Sequence, residues 1–206
     1  MKKKLLILLA LCFTLLISGC NKEEIPNPIV TMKIKDYGEI KIELYPNIAY
    51  NTVANFVTLI EDGFYENNTF HRLVKGFVLQ GGDPTATGMG SPGYTIKGEF
   101  ALNGVNNGIT HEEGVISMAR GGNDYNSAGS QFFIVLDDKA KSSLDGMYAA
   151  FGKVIEGMDI IKEIESDTFE YSDEQNGMLA TPLTLETASV DTKGHEYKVE
   201  KIETSN

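Results

Sequence analysis

The chain has 206 residues and a formal net charge of −11 at pH 7. This length allows one domain of ordinary size together with a leader segment. The acidic balance argues against nucleic acid, or an anionic membrane surface, as the main partner, because both carry negative charge themselves.

The N-terminal residues have the pattern of a cleaved leader. Three lysines precede an apolar stretch at residues 5–17, which is shorter than the roughly 20 residues that a membrane-spanning helix needs. The tetrapeptide Ile17-Ser18-Gly19-Cys20 resembles a bacterial lipobox, in which the leader is cut before a cysteine that then carries lipid. A plain secretory signal peptide is the alternative.

We therefore predict a signal peptide at residues 1–19, and a lipidated cysteine and tether at residues 20–28. The lipid on Cys20 would hold the protein on the extracytoplasmic face of the cell membrane, at the surface of a Gram-positive cell. The other cysteine, Cys12, lies within the leader, so the mature chain would contain neither a disulfide nor a cysteine metal site.

Residues 29–206 are predicted to form one domain that begins with a hairpin. Apolar residues alternate with polar ones at 30–34 and again at 40–44, the period of half-buried strands. A stripe of apolar residues then follows at 53, 56, 57 and 60, which predicts a helix with one face in the core. Asn51 or Thr52 would cap the start of this helix, and Gly63 would end it.

A second hairpin is predicted at residues 70–83, with its turn at Lys75-Gly76. A three-residue loop would place Arg72 opposite Gln80, whereas a two-residue loop would place Arg72 opposite Leu79. An arginine braced by an amide beside an exposed aromatic ring is the outline of a binding site. The alternative is a surface arginine on an ordinary amphipathic hairpin.

The glycine-rich stretch at residues 81–93 contains a match to GxGxxG at 88–93. A dinucleotide fingerprint must lead from a strand into a helix. Here Pro92 lies inside the match and residues 94–97 have the pattern of a strand. We therefore interpret this stretch as a long loop whose glycines permit tight turns.

The rest of the chain alternates short strands with one more helix. Strands are predicted at residues 114–119, 130–136, 149–154, 182–190 and 196–202, and a helix at 158–165. The strand at 130–136 is apolar on both faces, so a packed element or a ligand groove must cover its second face. Many short strands with two helices favour an all-β closed barrel with helical plugs.

The chain is poor in groups that bind metals or abstract protons. None of His71, His111 and His195 lies three or four residues from another histidine, and we expect none of them to sit in a cluster with acids. We therefore predict no metal site and no cofactor. Ser130 has no histidine or acid nearby in sequence and is interpreted as structural. An arginine with aromatic and amide neighbours suits a reaction without proton abstraction, such as rotation about a prolyl peptide bond.

Five blocks of sequence, in order and with similar spacing, resemble the cyclophilin family. They are residues 70–72 with 76–77 and 80–83, then 117–119, 129–134, 144–146 and 151–154. The resemblance implies a closed eight-stranded antiparallel β-barrel capped by two α-helices. It also implies peptidyl-prolyl cis-trans isomerase activity on proline-containing segments of other proteins.

The resemblance also implies roles for individual residues. Arg72 matches the catalytic arginine, and Gln80 matches the glutamine that braces it. The residues that match the proline pocket are Phe77, Phe133 and Leu144. Ala119 and Gln131 match groove residues that contact the peptide.

Four positions depart from the usual family pattern. Val78 replaces the usual methionine, Arg120 replaces a common asparagine, Ser143 replaces a frequent tryptophan, and Tyr148 replaces a frequent histidine. We expect all four to contact substrate. Because the tryptophan position is important for binding cyclosporin in the family, we expect cyclosporin to bind weakly.

These features together predict an isomerase that accelerates the folding of secreted or surface proteins. An alternative is a surface peptide-binding or adhesion module of the same fold with little turnover. A third hypothesis is a β-barrel lipoprotein that binds small molecules, which would need a deeper pocket than the open cyclophilin groove.

Overall fold

The computed structural model describes residues 24–203. The predicted leader and the lipidation of Cys20 lie outside these residues. Within the described part, no helix has both the length and the apolar character needed to cross a membrane.

Eleven strands are present among residues 24–203. They are β1 (Ile29–Ile34), β2 (Gly38–Leu44), β3 (Asn68–Val74), β4 (Val78–Gly81), β5 (Tyr94–Thr95), β6 (Val115–Met118), β7 (Phe132–Val135), β8 (Ala150–Glu156), β9 (Tyr171–Asp173), β10 (Met178–Asp191) and β11 (Ile202–Glu203). Eight of them follow the order β1-β2-β8-β6-β7-β4-β3-β10, and β10 pairs back with β1. Every pairing around this ring is antiparallel. The expected closed eight-stranded barrel is therefore confirmed.

Within residues 24–203, three α-helices accompany the barrel: α1 (Tyr50–Glu61), the single turn α2 (Lys141–Leu144) and α3 (Met158–Ser166). The two longer helices lie where the hydrophobic periodicity predicts them. Each buries its apolar side in the same core as the barrel strands, α1 through residues that include Phe56 and α3 through Ile161 and Ile164.

The start of α1 differs from the prediction, because neither Asn51 nor Thr52 caps it. The carboxylate of Glu99 instead accepts hydrogen bonds from the backbone N–H of Asn51, at 3.2 Å, and of Thr52, at 2.7 Å. A carboxylate is a favourable partner there because the first N–H groups of a helix carry partial positive charge. Gly63, with a φ of 71°, follows the helix end as expected.

Strand β7 separates two apolar clusters. On one face, the Phe132 ring packs edge-on against Phe56, Tyr65 and Phe70, with ring centroids 5.3 to 5.7 Å apart. On the other face, Phe133 belongs to a smaller cluster with Leu144 of α2. Coverage on both faces explains why this strand lacks alternation and confirms the prediction that something packs against its second face.

The strand predicted at residues 196–202 is wrong except at its end. Only Ile202–Glu203 forms a strand, and it pairs with β5. The preceding residues contact the start of α1, where Tyr197 and Val199 are half-buried while Glu196, Lys198 and Glu200 are exposed. The alternation of apolar and polar residues here therefore results from an extended segment buried on one side, not from pairing in a sheet.

Candidate active site

The β3–β4 hairpin places Arg72 directly opposite Gln80. Val74 pairs with Val78, so the loop has three residues, and the condition for the predicted pairing is met. The register shifts between Phe70 and Arg72, so His71 is the extra residue of a β-bulge. Bulges redirect neighbouring side chains. Here His71 is completely buried, whereas Arg72 is partly exposed.

A chain of hydrogen bonds braces the Arg72 guanidinium. Nη1 of Arg72 donates to Oε1 of Gln80 at 3.1 Å, and Nε2 of Gln80 donates to Oε1 of Gln131 at 3.0 Å. Nε2 of Gln131 then donates to the carbonyl oxygens of Gly88 and Gly90, each at 3.0 Å. Because arginine can only donate, it determines the orientation of both amides in turn.

A second contact holds Arg72 from the opposite side. Its Nε donates to the carbonyl oxygen of Asn176 at 2.7 Å. Asn176 lies between β9 and β10, about a hundred positions along the chain from Arg72, and nothing in the sequence pointed to it. Burial lowers the pKa of Arg72, an effect that Tyr148 opposes, and the group stays charged at physiological pH. Among the described residues, no acceptor binds the Nη2 hydrogens.

An apolar cavity of about 170 Å³ adjoins the guanidinium. The apolar side chains in its lining are Phe77, Val78, Ala119, Phe133, Leu144 and Tyr148. Its polar side chains are those of Arg72, Gln80 and Arg120. A small apolar ring would therefore lie against aromatic and aliphatic walls with a cation at its edge.

A second cavity of about 300 Å³ continues from the first and shares Gln80, Ala119 and Arg120 with it. Nine of the predicted site residues line the first cavity, and Gln131 lines the second. The structure thus brings ten of the predicted site residues to two adjoining cavities. Ser143 is the exception: it is exposed and lines neither cavity.

The glycine-rich segment forms the loop that was expected and leads into β5. Asp83 anchors it by accepting hydrogen bonds from the backbone N–H groups of Thr85, at 2.7 Å, and Gly90, at 3.1 Å. Burial favours the protonated carboxyl, but these hydrogen bonds outweigh it and lower the pKa of Asp83. The loop therefore holds the carbonyl groups that orient Gln131.

The expectation that no histidine lies with an acid is wrong for His111. Its Nδ1 is 2.9 Å from Oδ1 of Asp145, and its Nε2 is 3.0 Å from Oγ of Ser117. Burial lowers the pKa of His111, although Asp145 opposes this, which favours the neutral ring. Asp145 is 34 residues away along the chain, so sequence proximity could not reveal the pair.

This arrangement has the residue types of a hydrolytic triad but is closed to substrate. Ser117 has no exposed surface, and His111 has 1%. The His111 ring instead stacks on Phe133, with centroids 6.2 Å apart. Its role is therefore to support the pocket wall. Ser130 is also structural, as predicted: it is buried and donates to the carbonyl oxygen of Gly82 at 2.8 Å.

Residues 24–203 contain no group of three or more histidine, cysteine, aspartate or glutamate residues that could hold a metal ion. The site is made of two arginines, two side-chain amides and two adjoining cavities, of which the smaller has mostly apolar walls.

A family model described as cyclophilin type peptidyl-prolyl cis-trans isomerase/CLD matches residues 29–190. The chain belongs to this family. The match includes the barrel strands as far as Val190 and the residues that line both cavities, and it ends before the segment at residues 192–203.

Named relatives and solved structures agree with this cyclophilin assignment. Peptidyl-prolyl cis-trans isomerase B of Bacillus subtilis is 47% identical over 133 residues, which are 65% of this chain and 87% of that protein. An isomerase of Helicobacter pylori is 44% identical over 130 residues, 62% of this chain and 75% of that protein. A crystal structure of a Cryptosporidium parvum cyclophilin matches with a TM-score of 0.69 and 28% identity, covering 81% of this chain and 98% of the other. A second structure of that protein, in the presence of the dipeptide Ala-Pro, matches with a TM-score of 0.68 and 28% identity over 79% of this chain and 98% of the other.

Proposed function

We propose that this cyclophilin catalyses the cis-trans isomerisation of X-Pro bonds, with the proline ring in the smaller cavity and Arg72 as the catalytic residue. The observation that carries the proposal is the braced guanidinium, whose Nη2 hydrogens have no acceptor among residues 24–203, at the edge of an apolar cavity. Gln80 positions the arginine, while Phe77, Val78, Phe133 and Leu144 hold the ring.

The chemistry of the prolyl bond explains why such a site suffices. Resonance in the amide creates a barrier of about 18–20 kcal/mol, and uncatalysed isomerisation takes tens to hundreds of seconds. In the planar amide the nitrogen lone pair is delocalised, so the nitrogen is a poor acceptor. In the twisted state the lone pair is localised, and a guanidinium N–H can donate to it.

A hydrogen bond that forms only in the twisted state stabilises the transition state selectively. Acceleration to the millisecond range, roughly 10⁵-fold, requires about 7 kcal/mol of such stabilisation. The apolar walls contribute by excluding water, which strengthens the interaction between the guanidinium and the nitrogen. No proton is transferred, which agrees with cavities whose described lining contains no histidine, carboxylate or lysine.

The decisive experiment compares the protein with Arg72→Ala and Arg72→Lys in an isomerase assay on an Ala-Pro peptide. We expect Arg72→Ala to reduce kcat/KM by about 10²–10³, the usual effect of removing one donor that stabilises a transition state. Arg72→Lys should also be impaired, because one ammonium group cannot reach both Gln80 and Asn176 while donating to substrate. Lys97→Ala, which removes an exposed cation that lines neither cavity, is the matched control.

Full activity in a folded Arg72→Ala protein would rule out this mechanism. The peptide-binding or adhesion alternative makes a different prediction: retention of a proline peptide in the groove with little turnover by the wild type. Measuring binding and turnover on the same peptide separates the two functions.

We further propose that the enzyme acts outside the cytoplasmic membrane on secreted or surface proteins. The support for this is the pattern of residues 1–20, with its basic start, apolar stretch and Ser18-Gly19-Cys20. Several acyl chains on Cys20 would anchor it durably, because each buried methylene adds about 0.8 kcal/mol. Labelling cells with a fatty acid analogue should mark the wild type and leave Cys20→Ala unmarked. Labelling of both forms would contradict lipidation at this position.

A further inference from the structure

The larger of the two cavities has a positively charged lining, whereas the chain as a whole is negatively charged. Its lining consists of glycines, serines, an alanine, a methionine and two glutamines, together with a single charged side chain, Arg120. The protein as a whole has a net charge of −11. An isolated cation in the wall of a cavity, in an otherwise acidic protein, favours an anionic occupant.

The position of Arg120 is determined from several directions. Its Nε donates to the carbonyl oxygen of Met147 at 3.0 Å, and its Nη1 donates to that of Gly121 at 2.9 Å. The guanidinium carbon lies 5.3 Å from the ring centroid of Phe100, 5.0 Å from that of Tyr125 and 4.7 Å from that of Tyr148. Contacts of a cation with aromatic rings at these distances are attractive and leave the charge in place.

No carboxylate neutralises this cation within the described range. Arg120 takes part in none of the ion pairs found among residues 24–203. The carboxylate of Asp124, in the same loop, accepts from the backbone N–H of Asn126 instead. The Nη2 hydrogens of Arg120 have no acceptor in this part of the chain, so they can bind a ligand.

We propose that Arg120 determines specificity, and that the larger cavity selects substrates with an aspartate or glutamate side chain within two residues of the proline. This inference rests on the proposed isomerase function, since it needs the proline in the smaller cavity. The two cavities share Gln80, Ala119 and Arg120, so one peptide can occupy both. Arg120 acts on affinity for the flanking side chain, and Arg72 acts on the bond.

The test uses the full-length protein and a set of Ala-Ala-Pro-Ala-Ala peptides, which have two residues on each side of the proline. Each position flanking the proline carries glutamate, glutamine or lysine in turn, which keeps side-chain length similar while the charge changes. At one position we expect kcat/KM to fall three- to tenfold from glutamate to glutamine, and further for lysine. Because a partly exposed ion pair is screened by salt, the ratio of kcat/KM on the glutamate peptide to that on the glutamine peptide should approach one in 1 M NaCl.

Two variants connect this preference to Arg120. Arg120→Gln should have the same kcat/KM on glutamate and glutamine peptides, and Arg120→Lys should retain part of the preference for glutamate. Equal rates on all peptides with the wild type, or a preference that survives in a folded Arg120→Gln protein, would overturn the inference. The salt dependence of the wild type tests it even if Arg120→Gln does not fold.

Failure of the inference is distinguishable from failure of the proposed function. If the wild type turns over every peptide at the same rate, the isomerase function stands and the preference is wrong. If it turns over none, the isomerase function is wrong. In that case, titration of the same peptides by fluorescence still shows whether the acidic ones bind more tightly.

Discussion

Arg72 and Gln80 lie opposite each other in a hairpin and are joined by a hydrogen bond of 3.1 Å between Nη1 and Oε1. The direction of this bond orients the whole relay, because the guanidinium offers donors only. Gln80 must then present its NH₂ group to Gln131, and Gln131 must present its own to the loop carbonyls. A substitution at any residue of this relay should therefore change the orientation of the Arg72 guanidinium.

The first prediction concerns the middle of this relay. Gln80→Leu removes the acceptor for Arg72 and the donor to Gln131, so the guanidinium can adopt other orientations. We expect kcat/KM on an Ala-Pro peptide to fall about tenfold, which corresponds to about 1.4 kcal/mol, close to the lower end of the range for a hydrogen bond to a charged group. Gln80→Glu keeps the acceptor for Arg72 but loses the donor to Gln131, so its kcat/KM should lie between those of the wild type and Gln80→Leu. Unchanged kcat/KM in Gln80→Leu would show that Asn176 alone positions Arg72.

The second prediction concerns the other end of the relay. A Cβ atom on Gly90 would lie 2.9 Å from Oγ1 of Thr85 and still closer to the Asp83 carboxylate. Gly90→Ala should therefore displace the loop and its carbonyls, lowering both the free energy of unfolding and kcat/KM. The matched control is Gly108→Ala, where a Cβ atom would meet nothing within 4 Å. Equal thermal stability and equal activity in the two variants would contradict this role of Gly90.

The residues that the sequence predicts correctly are those whose relation is local. Hairpin geometry relates Arg72 to Gln80 as soon as the loop length is known, and the double-sided apolar pattern of β7 requires a cover for Phe133. The resemblance to cyclophilins supplied Gln131, Leu144 and Ala119, which hairpin geometry alone does not connect to Arg72.

The features that escaped prediction are contacts between distant segments. Asn176 binds Arg72 through a backbone carbonyl, which carries no signal in the side-chain sequence. Glu99 replaces Asn51 or Thr52 at the start of α1 because a loop brings a charged acceptor there. His111 and Asp145 become neighbours only when the barrel closes.

The third prediction uses the two phenylalanines that face opposite sides of β7. Phe132→Ala removes a completely buried ring from the aromatic core, so the free energy of unfolding should fall by about 3–5 kcal/mol. Phe133→Ala removes a ring that is both part of the smaller apolar cluster and a wall of the proline cavity, so it should lower kcat/KM as well as the free energy of unfolding. Urea unfolding and the isomerase assay on both proteins check this. An activity loss in Phe133→Ala no larger than that in a folded Phe132→Ala would contradict the assignment.

The fourth prediction is the pH dependence of stability. Burial lowers the pKa of His71, Asp83 opposes this shift, and Arg72 adds to it. Neither ring nitrogen of His71 has a hydrogen-bond partner in the described structure. A pKa below the unfolded value of about 6.5 means that the unfolded state binds the proton more readily. This contribution to stability is complete above about pH 6.5 and is lost as the pH falls below it.

Urea unfolding between pH 8 and pH 5 measures this effect. His71→Gln should be less stable than the wild type at pH 8 but show a shallower decline on acidification, and His111 accounts for part of the remainder. NMR titration of the wild type offers a second readout, in which the His71 ring signal should not shift until the pH is well below 6.5. A shift centred at 6.5 would contradict the burial argument.

The fifth prediction concerns the segment at residues 192–203, which lies beyond the family match. The side chain of Asn51 makes two hydrogen bonds with the backbone of Glu200. Its Nδ2 donates to the carbonyl oxygen of Glu200 at 3.0 Å, and its Oδ1 accepts from the N–H of Glu200 at 2.7 Å. The ammonium of Lys201 lies 4.1 Å from the ring centroid of Tyr94, and β11 pairs with β5. The segment therefore ties the start of α1 to the strand that follows the glycine-rich loop.

Asn51→Ala removes both hydrogen bonds to Glu200 and should cost about 1–2 kcal/mol of unfolding free energy. Truncation after Asp191 should cost more, because it also exposes the surface covered by Tyr197 and Val199. Each kcal/mol lost should lower Tm by about 2–4 °C in a domain of this size. Asn106→Ala is the control, since that side chain is exposed and has no hydrogen bond within residues 24–203. If truncation leaves Tm unchanged, the segment packs on the barrel without stabilising it, and its contacts with α1 and β5 carry no net energy.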